Sequence, residues 1–218
     1  QRQMCIRDSS VIVDTFQGQL RNRLTCITCG HTSTTYNAFM SLSLPIPTHG
    51  RSRSPVPLAQ CLDAFVKEEV LEKADAWHCP KCKKPRRATK QLSFSRLPPV
   101  LLLHLKRFTF RGPFTDKIDT QVTFPESGLD LSNYMPPPLP PGTSVHGITP
   151  SRSQRPPYIY DLYGVTHHFG TLNAGHYTAS IRTGDKWFYC DDSHISPGNE
   201  GQIRSNSPYV LFFGRRTS

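Results

Sequence analysis

Two pairs of cysteines in the chain have the spacing of metal ligands. Cys26 and Cys29 form one Cys-x-x-Cys knuckle, and Cys79 and Cys82 form a second one about fifty residues later. Two such knuckles can place four thiolates around one tetrahedral Zn2+ ion, which would hold the two segments together. A redox or disulfide role is the alternative, although a redox pair usually opens a helix. The spacing therefore favours a structural zinc site, which carries no information about catalysis.

A histidine and two aspartates lie at opposite ends of a segment that is typical of a β-hairpin. Two runs of aromatic and β-branched residues flank the turn sequence 183–185. If the loop consists of residues 183 and 184, His176 falls opposite Asp191, whereas a three-residue loop places it opposite Asp192. In either register a carboxylate can fix the tautomer of the imidazole and stabilise its protonated form.

This pair has both a structural and a catalytic interpretation. A strand histidine beside a surface acid is commonly an ordinary contact. Gly175, directly before His176, would let another group approach closely, and a histidine oriented by an acid is the arrangement of a general base. Neither feature supplies a nucleophile, so the motif alone leaves the two interpretations open.

The composition indicates a globular chain. Of its 218 residues, 36% are hydrophobic and 19% are charged, which is enough apolar material for a large core. No run approaches the roughly 18 apolar residues of a membrane-spanning helix, so a membrane span is excluded. The first ten residues contain charges and no apolar signal segment, which predicts an intracellular, cytoplasmic protein. In that reducing compartment, paired cysteines are metal ligands or catalytic thiols more often than disulfides.

The charge balance is basic, with 26 Lys and Arg against 16 Asp and Glu and a formal net charge of +10. Such a balance allows nucleic acid as a partner. Most basic residues are scattered, however, and a single cluster at the second knuckle is typical of a solvated surface. The cluster consists of Lys81, Lys83, Lys84, Arg86, Arg87 and Lys90. The sequence therefore disfavours nucleic acid as the partner.

The elements that must position these residues are mostly strands. One helix is predicted over Leu58–Leu71, where apolar residues recur at helical spacing after a proline. The Pro-rich segment 133–157 is predicted to be an exposed loop. The predicted strands are Thr32–Phe39, Gln91–Leu97, Val100–Phe110, Val122–Phe124, Tyr158–His167, His176–Arg182, Lys186–Asp191 and Pro208–Phe213.

An ordered set of motifs resembles the catalytic domain of the ubiquitin-specific proteases, a papain-like group of cysteine deubiquitinases. The resemblance runs from about Val11 to Phe213, and the ordered set is very specific although no single motif is decisive. In chain order the motifs are Phe16–Leu20 before the first knuckle, Leu42–Ile46, the second knuckle, Leu101–Phe108 (LLLHLKRF), Tyr163–Val165, Gly175–Ala179 and Trp187–Ser193.

The resemblance implies an α+β fold of the papain-like cysteine protease type. Zinc-ribbon β-fingers would occupy about residues 20–95, and a β-rich palm would follow over about residues 96–213, with the Pro-rich segment 133–157 as an insertion. Residues 1–10 lie outside the resemblance, residues 214–218 would be a tail, and the thumb of the fold would be largely missing.

The resemblance also implies roles for single residues. By position in the motifs, His176 matches the general base, Asp191 the acid that orients it, and Asp192 an adjacent second acid. For His176 and Asp191 to share a face of the sheet, the hairpin loop must have an even number of residues, or a β-bulge must compensate for an odd number. The implied partners are ubiquitin and ubiquitinated proteins, the implied cofactor is a structural Zn2+ held by the four knuckle cysteines, and the motifs resemble the endosome-associated branch.

The chain departs from the family pattern in one respect. Family members carry the nucleophilic cysteine in a Gly- and Asn-rich box ahead of the region seen here. Cys5 has no such surroundings, and Cys61 is predicted to be a small buried residue. We therefore expect a fragment of a catalytic domain that is inactive alone. Two alternatives stay open: a ubiquitin-binding pseudoenzyme that lacks the nucleophile, and a basic zinc-ribbon protein that binds nucleic acid.

Overall fold

A computed structural model describes residues 10–47, 54–111, 114–135, 157–171, 174–205 and 207–216. The helices are α1 (Val11–Phe16), α2 (Leu58–Val66) and α3 (Glu200–Ile203), with 3-10 turns at Lys73–Asp75 and Ser132–Tyr134. The strands are β1 (Gly18–Cys26), β2 (Thr32–Phe39), β3 (Leu42–Pro45), β4 (Val56–Pro57), β5 (Glu69–Leu71), β6 (Trp77–Cys79), β7 (Lys84–Arg86), β8 (Ala88–Arg96), β9 (Val100–Lys106), β10 (Phe108–Arg111), β11 (Phe114–Lys117), β12 (Val122–Thr123), β13 (Leu129–Asp130), β14 (Ile159–Gly170), β15 (Gly175–Thr183), β16 (Lys186–Asp191), β17 (His194–Pro197) and β18 (Pro208–Arg215).

The largest unit is a sheet with the strand order β17-β16-β15-β14-β18-β9-β3, to which β13 adds beside β14. Its core lies between the sheet and α2. On β9, buried Leu101, Leu103 and Leu105 alternate with residues that are partly exposed, as expected for a strand with one face on a core. Leu58 and Leu62 on the inner side of α2 belong to the same buried cluster.

A second sheet, in the order β2-β1-β8-β5, carries the cysteine knuckles together with the hairpin β6–β7. Cys26 is the last residue of β1 and Cys79 is the last residue of β6. The backbone bond from Ile27 N–H to the Arg87 carbonyl, 3.1 Å long, connects the two knuckle regions. The second sheet therefore brings together segments that are distant in sequence.

The helix α2 is shorter than its sequence pattern predicts. It ends at Val66 instead of Leu71, because Glu69–Leu71 pairs as β5 with β8. In this ladder Glu69 lies opposite Lys90, and their side chains form an ion pair of 2.8 Å. Pairing with a distant strand thus overrides the local helical spacing.

The predicted strand Val100–Phe110 is divided at Arg107. The guanidinium of Arg107 is fully buried and donates to the carbonyls of Pro208 (2.6 Å), Ile118 (2.8 Å) and Thr120 (3.0 Å). The backbone N–H of Arg107 bonds to the carbonyl of Leu105 at 2.8 Å, so the backbone turns at this residue. The break between β9 and β10 therefore coincides with a buried charged residue.

Several expected boundaries differ from the structure. The range 20–95 is not one unit, because β3 and α2 lie within it and pack into the core of the large sheet. At the other end, β18 continues to Arg215, so residues 214 and 215 of the expected tail belong to the sheet, and Arg216 binds Asp161 at 2.7 Å. Residues 1–9 and 136–156, which include most of the Pro-rich segment, lie outside the described residues. In the described part of the chain, no helix is long and apolar enough to cross a membrane.

Candidate functional site

The hairpin β15–β16 places His176 and Asp191 on the same face of the sheet. Thr183 pairs with Lys186, so the loop is Gly184-Asp185, two residues long and one position later than the two-residue loop considered from the sequence. Because side chains alternate along strands, the ladder puts residue 191 on the face that residues 176 and 178 share. The even loop that the motif alignment required is thus present.

His176 and Asp191 are joined by a direct hydrogen bond. The distance from His176 Nε2 to Asp191 Oδ1 is 2.5 Å, and both side chains are about half exposed, at 51% and 43%. This hydrogen bond and the charge of Asp191 raise the pKa of His176, and burial opposes the shift only weakly. The arrangement favours the protonated ring and fixes which nitrogen faces the acid.

Asp192 is close to this pair but differs in position. It follows the end of β16, in the turn to β17, and has a positive φ of 48°. The ligand-type atoms of His176, Asp191 and Asp192 all lie within 4.8 Å of one another. The charge of Asp192 also raises the pKa of His176, as the weakest of the causes. Asp191 is therefore the acid that contacts the imidazole.

Gly175 is required by a close neighbour. A Cβ atom added to Gly175 would lie 2.2 Å from Nε2 of His168, whose side chain is buried. The His168 ring packs against Tyr177, with ring centroids 4.7 Å apart, and against Phe108 at 5.3 Å. The sequence predicted that Gly175 lets another group approach closely. It did not identify that group as His168, because the sequence does not show which of the adjacent histidines 167 and 168 faces Gly175.

Lys117 braces the strand beside His176. Its Nζ donates to the carbonyl of His168 at 2.9 Å and to the carbonyl of Gly170 at 3.1 Å. Between these two carbonyls lies Phe169, which pairs with His176 in the β14–β15 ladder. A single lysine gives no sequence signal for such a contact, so this residue was also missed.

The four knuckle cysteines lie together. The sulfur atoms of Cys26, Cys29, Cys79 and Cys82 are all within 4.8 Å of one another. Zn–S bonds of about 2.3 Å put the ligands of a tetrahedral zinc about 3.8 Å apart, and Cys29 Sγ lies 3.7 Å from Cys79 Sγ. The backbone N–H of Cys82 also points to Cys79 Sγ, at 3.5 Å. The donor set and its spacing fit Zn2+.

The ionisation of these thiols supports the same assignment. Burial alone would raise the pKa of Cys26, but the backbone N–H groups of Cys29 and Thr28 outweigh it and lower this pKa to about 7. The N–H of His31 favours the Cys29 thiolate, yet burial and the neighbouring thiols raise that pKa to about 12. Four thiols in one site cannot all ionise without a cation to compensate their charge.

The other described cysteines are placed away from His176. Cys61 is buried in the core, and burial raises the pKa of its thiol to about 11. Cys190 precedes Asp191 on β16, so its side chain belongs to the opposite face of the sheet. Cys5 lies outside the described residues. Among the described residues, the His176 ring is hydrogen-bonded to Asp191.

Comparison with known proteins gives a consistent result. Residues 1–213 match the family described as ubiquitin carboxyl-terminal hydrolase, a range that includes the first ten residues, which the motif resemblance left out. Ubiquitin carboxyl-terminal hydrolase 4 of Saccharomyces cerevisiae (strain YJM789) is 45% identical over 215 residues, which cover 95% of this chain and 23% of that protein. Ubiquitin carboxyl-terminal hydrolase 21 of Homo sapiens is 38% identical over 207 residues, which cover 95% of this chain and 34% of that protein. The chain thus spans about a quarter to a third of these relatives.

Solved structures share the fold. The SAGA Ubp8/Sgf11/Sus1/Sgf73 DUB module bound to ubiquitin aldehyde contains a chain with a TM-score of 0.75 and 31% identity, and the match covers 96% of this chain and 43% of that one. A SAGA DUB module bound to monoubiquitin gives a TM-score of 0.75 at 32% identity, covering 94% of this chain and 42% of the other.

Proposed function

The chain belongs to the ubiquitin carboxyl-terminal hydrolase family, and from that premise we propose that it supplies the general base of a deubiquitinating cysteine protease. The reaction is hydrolysis of the peptide or isopeptide bond after the C-terminal glycine of ubiquitin. The observation that carries the proposal is the hydrogen bond of 2.5 Å between His176 and Asp191. Solved chains of the same fold bound to ubiquitin aldehyde and to monoubiquitin support ubiquitin and ubiquitinated proteins as the partners.

The geometry defines the part of each residue. Because Nε2 of His176 faces Asp191, the Nε2–H is donated to the carboxylate and Nδ1 carries the lone pair that can accept a thiol proton. The thiolate attacks the carbonyl carbon of the scissile bond, the C–N bond breaks, and His176 donates the proton to the amine leaving group. Water, deprotonated by His176, then attacks the resulting thioester and releases the ubiquitin carboxylate and the thiol. Asp191 holds the ring and stabilises the imidazolium that forms in between.

The attacking sulfur comes from outside the described residues. The quartet accounts for four described cysteines, Cys61 is in the core, and Cys190 belongs to the face opposite Asp191. Cys5, which also lies outside the described residues, lacks the Gly- and Asn-rich surroundings of the family's nucleophile, so the 218-residue chain alone is expected to be inactive as a hydrolase. The knuckle quartet would hold a structural Zn2+ that fastens the two knuckles and takes no part in the chemistry.

Two assays on the 218-residue chain test this proposal. We expect calorimetric titration with monoubiquitin to show saturable binding, and a fluorogenic amide at the C-terminus of ubiquitin to stay uncleaved. If the chain binds ubiquitin no more tightly than it binds an unrelated protein of similar size, ubiquitin is not its partner. Cleavage of the amide, lost after Cys5→Ser, would contradict the proposed source of the thiol.

A ubiquitin-binding pseudoenzyme is the second candidate, favoured by the placement of the described cysteines away from His176. The two candidates differ in the longer protein that contains this chain. A Gly- and Asn-rich box with a cysteine there, together with hydrolysis, supports the protease, whereas a longer protein that binds ubiquitin and lacks such a box supports the pseudoenzyme.

A further inference from the structure

A cationic pocket lies beside the cysteine quartet, far in sequence from His176. Its volume is about 490 Å3, within the range of small-ligand sites. Cations of Lys73, Arg86 and Arg87 line it, together with apolar groups of Ile27, Ala76 and Pro85. We call this site the knuckle pocket.

The pocket carries an excess of positive charge. Arg87 is paired with Glu72 at 2.9 Å, but the described residues include no ion pair for Lys73 or Arg86. The Nε atom of Arg86 is buried and has no hydrogen-bond partner among the described residues. Arg86 as a whole is half-buried and lines the pocket, so its charge and that of Lys73 can be balanced by an anionic group bound there.

The backbone around the pocket is fixed. Arg86 pairs with Trp77 in the β6–β7 ladder, and the carbonyl of Arg87 accepts the N–H of Ile27 at 3.1 Å. The N–H of Lys83 bonds to the carbonyl of Cys79 at 2.8 Å and closes the second knuckle. Arg86 and Arg87 therefore project from a hydrogen-bonded backbone, which reduces the ordering that binding would require.

We propose that the knuckle pocket binds a phosphorylated side chain of a protein partner. A phosphate group carries close to two negative charges and three acceptor oxygens, which match the charges of Lys73 and Arg86, the two lining cations that have no ion pair among the described residues. The apolar groups of Ile27 and Pro85 provide a wall for the peptide that carries the phosphate. This inference goes beyond the proposed hydrolase function and does not depend on it.

The structure favours a phosphopeptide over a nucleic acid. A nucleic-acid surface needs an extended track of cations and aromatic rings that are open to bases. Here Arg87 and Lys90 are already paired with Glu72 and Glu69, which interrupts the track. The ring of Trp77 is stacked with that of a histidine, at 6.3 Å between centroids and an interplanar angle of 4°. The pocket therefore offers a concave site lined by three cations and not an extended track.

The test follows the side-chain Nε–H signal of Arg86 by NMR in the 218-residue chain. The probes are inorganic phosphate, a Gly-Gly-phosphoserine-Gly-Gly peptide, its unphosphorylated form, and a short single-stranded oligonucleotide. We expect the phosphopeptide to shift this signal saturably and to bind at least about tenfold more tightly than the unphosphorylated peptide. Weak saturable binding of inorganic phosphate at the same signal supports the same chemistry.

Single substitutions distinguish binding in the knuckle pocket from nonspecific attraction to a positively charged protein. Arg86→Gln and Lys73→Met are each expected to weaken phosphopeptide binding about tenfold, whereas Lys186→Met, which removes one charge in a distant hairpin, leaves it unchanged. If Arg86→Gln does not fold, Lys73→Met on its exposed turn still decides. Equal affinity for both peptides, tighter binding of the oligonucleotide than of the phosphopeptide, or equal losses in all three variants would each overturn the proposal.

Discussion

At the scale of single residues, the two adjacent acids act differently on His176. Asp191 accepts a hydrogen bond from the ring and raises the pKa of His176 mainly through that bond, whereas Asp192 acts only through its charge. Asp191 is the last residue of β16, and Asp192 lies in the turn that follows. The two carboxylates are therefore not interchangeable.

This difference predicts unequal effects of two matched substitutions. Asp191→Asn removes the charged acceptor that stabilises the imidazolium, so we expect the pKa of His176 to fall to or below its ordinary value of about 6.5. Asp192→Asn should lower the pKa by a smaller amount. An NMR titration of the His176 ring in both variants measures the shifts. A fall in Asp192→Asn as large as in Asp191→Asn would contradict the assignment.

Much of this pair was predictable from the sequence. The aromatic and β-branched runs indicate a hairpin. Whether its loop has an even or an odd number of residues decides which aspartate shares a face of the sheet with His176. The exact loop was not predictable, because the sequence 183–185 allows two placements of a two-residue loop. In the structure Gly184 takes the first loop position with φ of 59°, a value that glycine adopts readily.

At the scale of elements, the end of β14 depends on a contact from another hairpin. Lys117 at the end of β11 donates to the carbonyls of His168 and Gly170, on both sides of the residue that pairs with His176. Since a charged donor and two carbonyls are involved, this contact stabilises the β14–β15 ladder where the site lies. Burial lowers the pKa of Lys117.

Lys117→Met is expected to loosen this end of the ladder. Losing charge-assisted hydrogen bonds should lower the local free energy of opening by about 1–3 kcal/mol. Hydrogen exchange of the backbone amides of residues 168–171 and 174–177 should become faster, while that of β9 stays unchanged. Lys106→Met, at an exposed strand end, serves as the control and should leave these rates as they are. Equal exchange in both variants would show that Lys117 does not brace the ladder.

The element boundaries show where sequence patterns fail. The helical spacing of Leu58–Leu71 continues past the observed helix end, because β5 forms only when the distant β8 is present to pair with it. The strand Val100–Phe110 breaks at Arg107, whose buried guanidinium donates to three carbonyls from two other segments. Both departures depend on contacts between residues that are far apart in the chain.

At the scale of the whole molecule, the order of the motifs predicted the family and the fold at a coarse level. The family match and the solved structures confirm a mostly β fold of the ubiquitin-specific protease type. The sequence order did not predict that β3 and α2, which lie between the knuckles, would pack into the large sheet. That arrangement follows from burial of their apolar faces, which no local motif records.

The four knuckle cysteines lie together, and this arrangement predicts how much zinc the chain binds. Purified chain should contain one zinc per molecule by elemental analysis, because the four sulfur atoms form a single site. The double substitution Cys26→Ser and Cys79→Ser should abolish zinc binding and lower the melting temperature, since the metal links distant segments. Cys190→Ser, which removes a cysteine outside the quartet, should retain the metal. Unchanged zinc in the double variant would contradict the site.

The proposed role of His176 as the general base of a deubiquitinase can be tested by the activity of the longer protein that contains this chain. The measurement is kcat/KM for a fluorogenic amide at the C-terminus of ubiquitin in the unmodified protein, in His176→Ala, and in Thr183→Ala at the far end of the same strand. We expect His176→Ala to lose activity by about a thousandfold or more and Thr183→Ala to stay near the unmodified rate. Normal cleavage by a folded His176→Ala variant would show that His176 is not the general base.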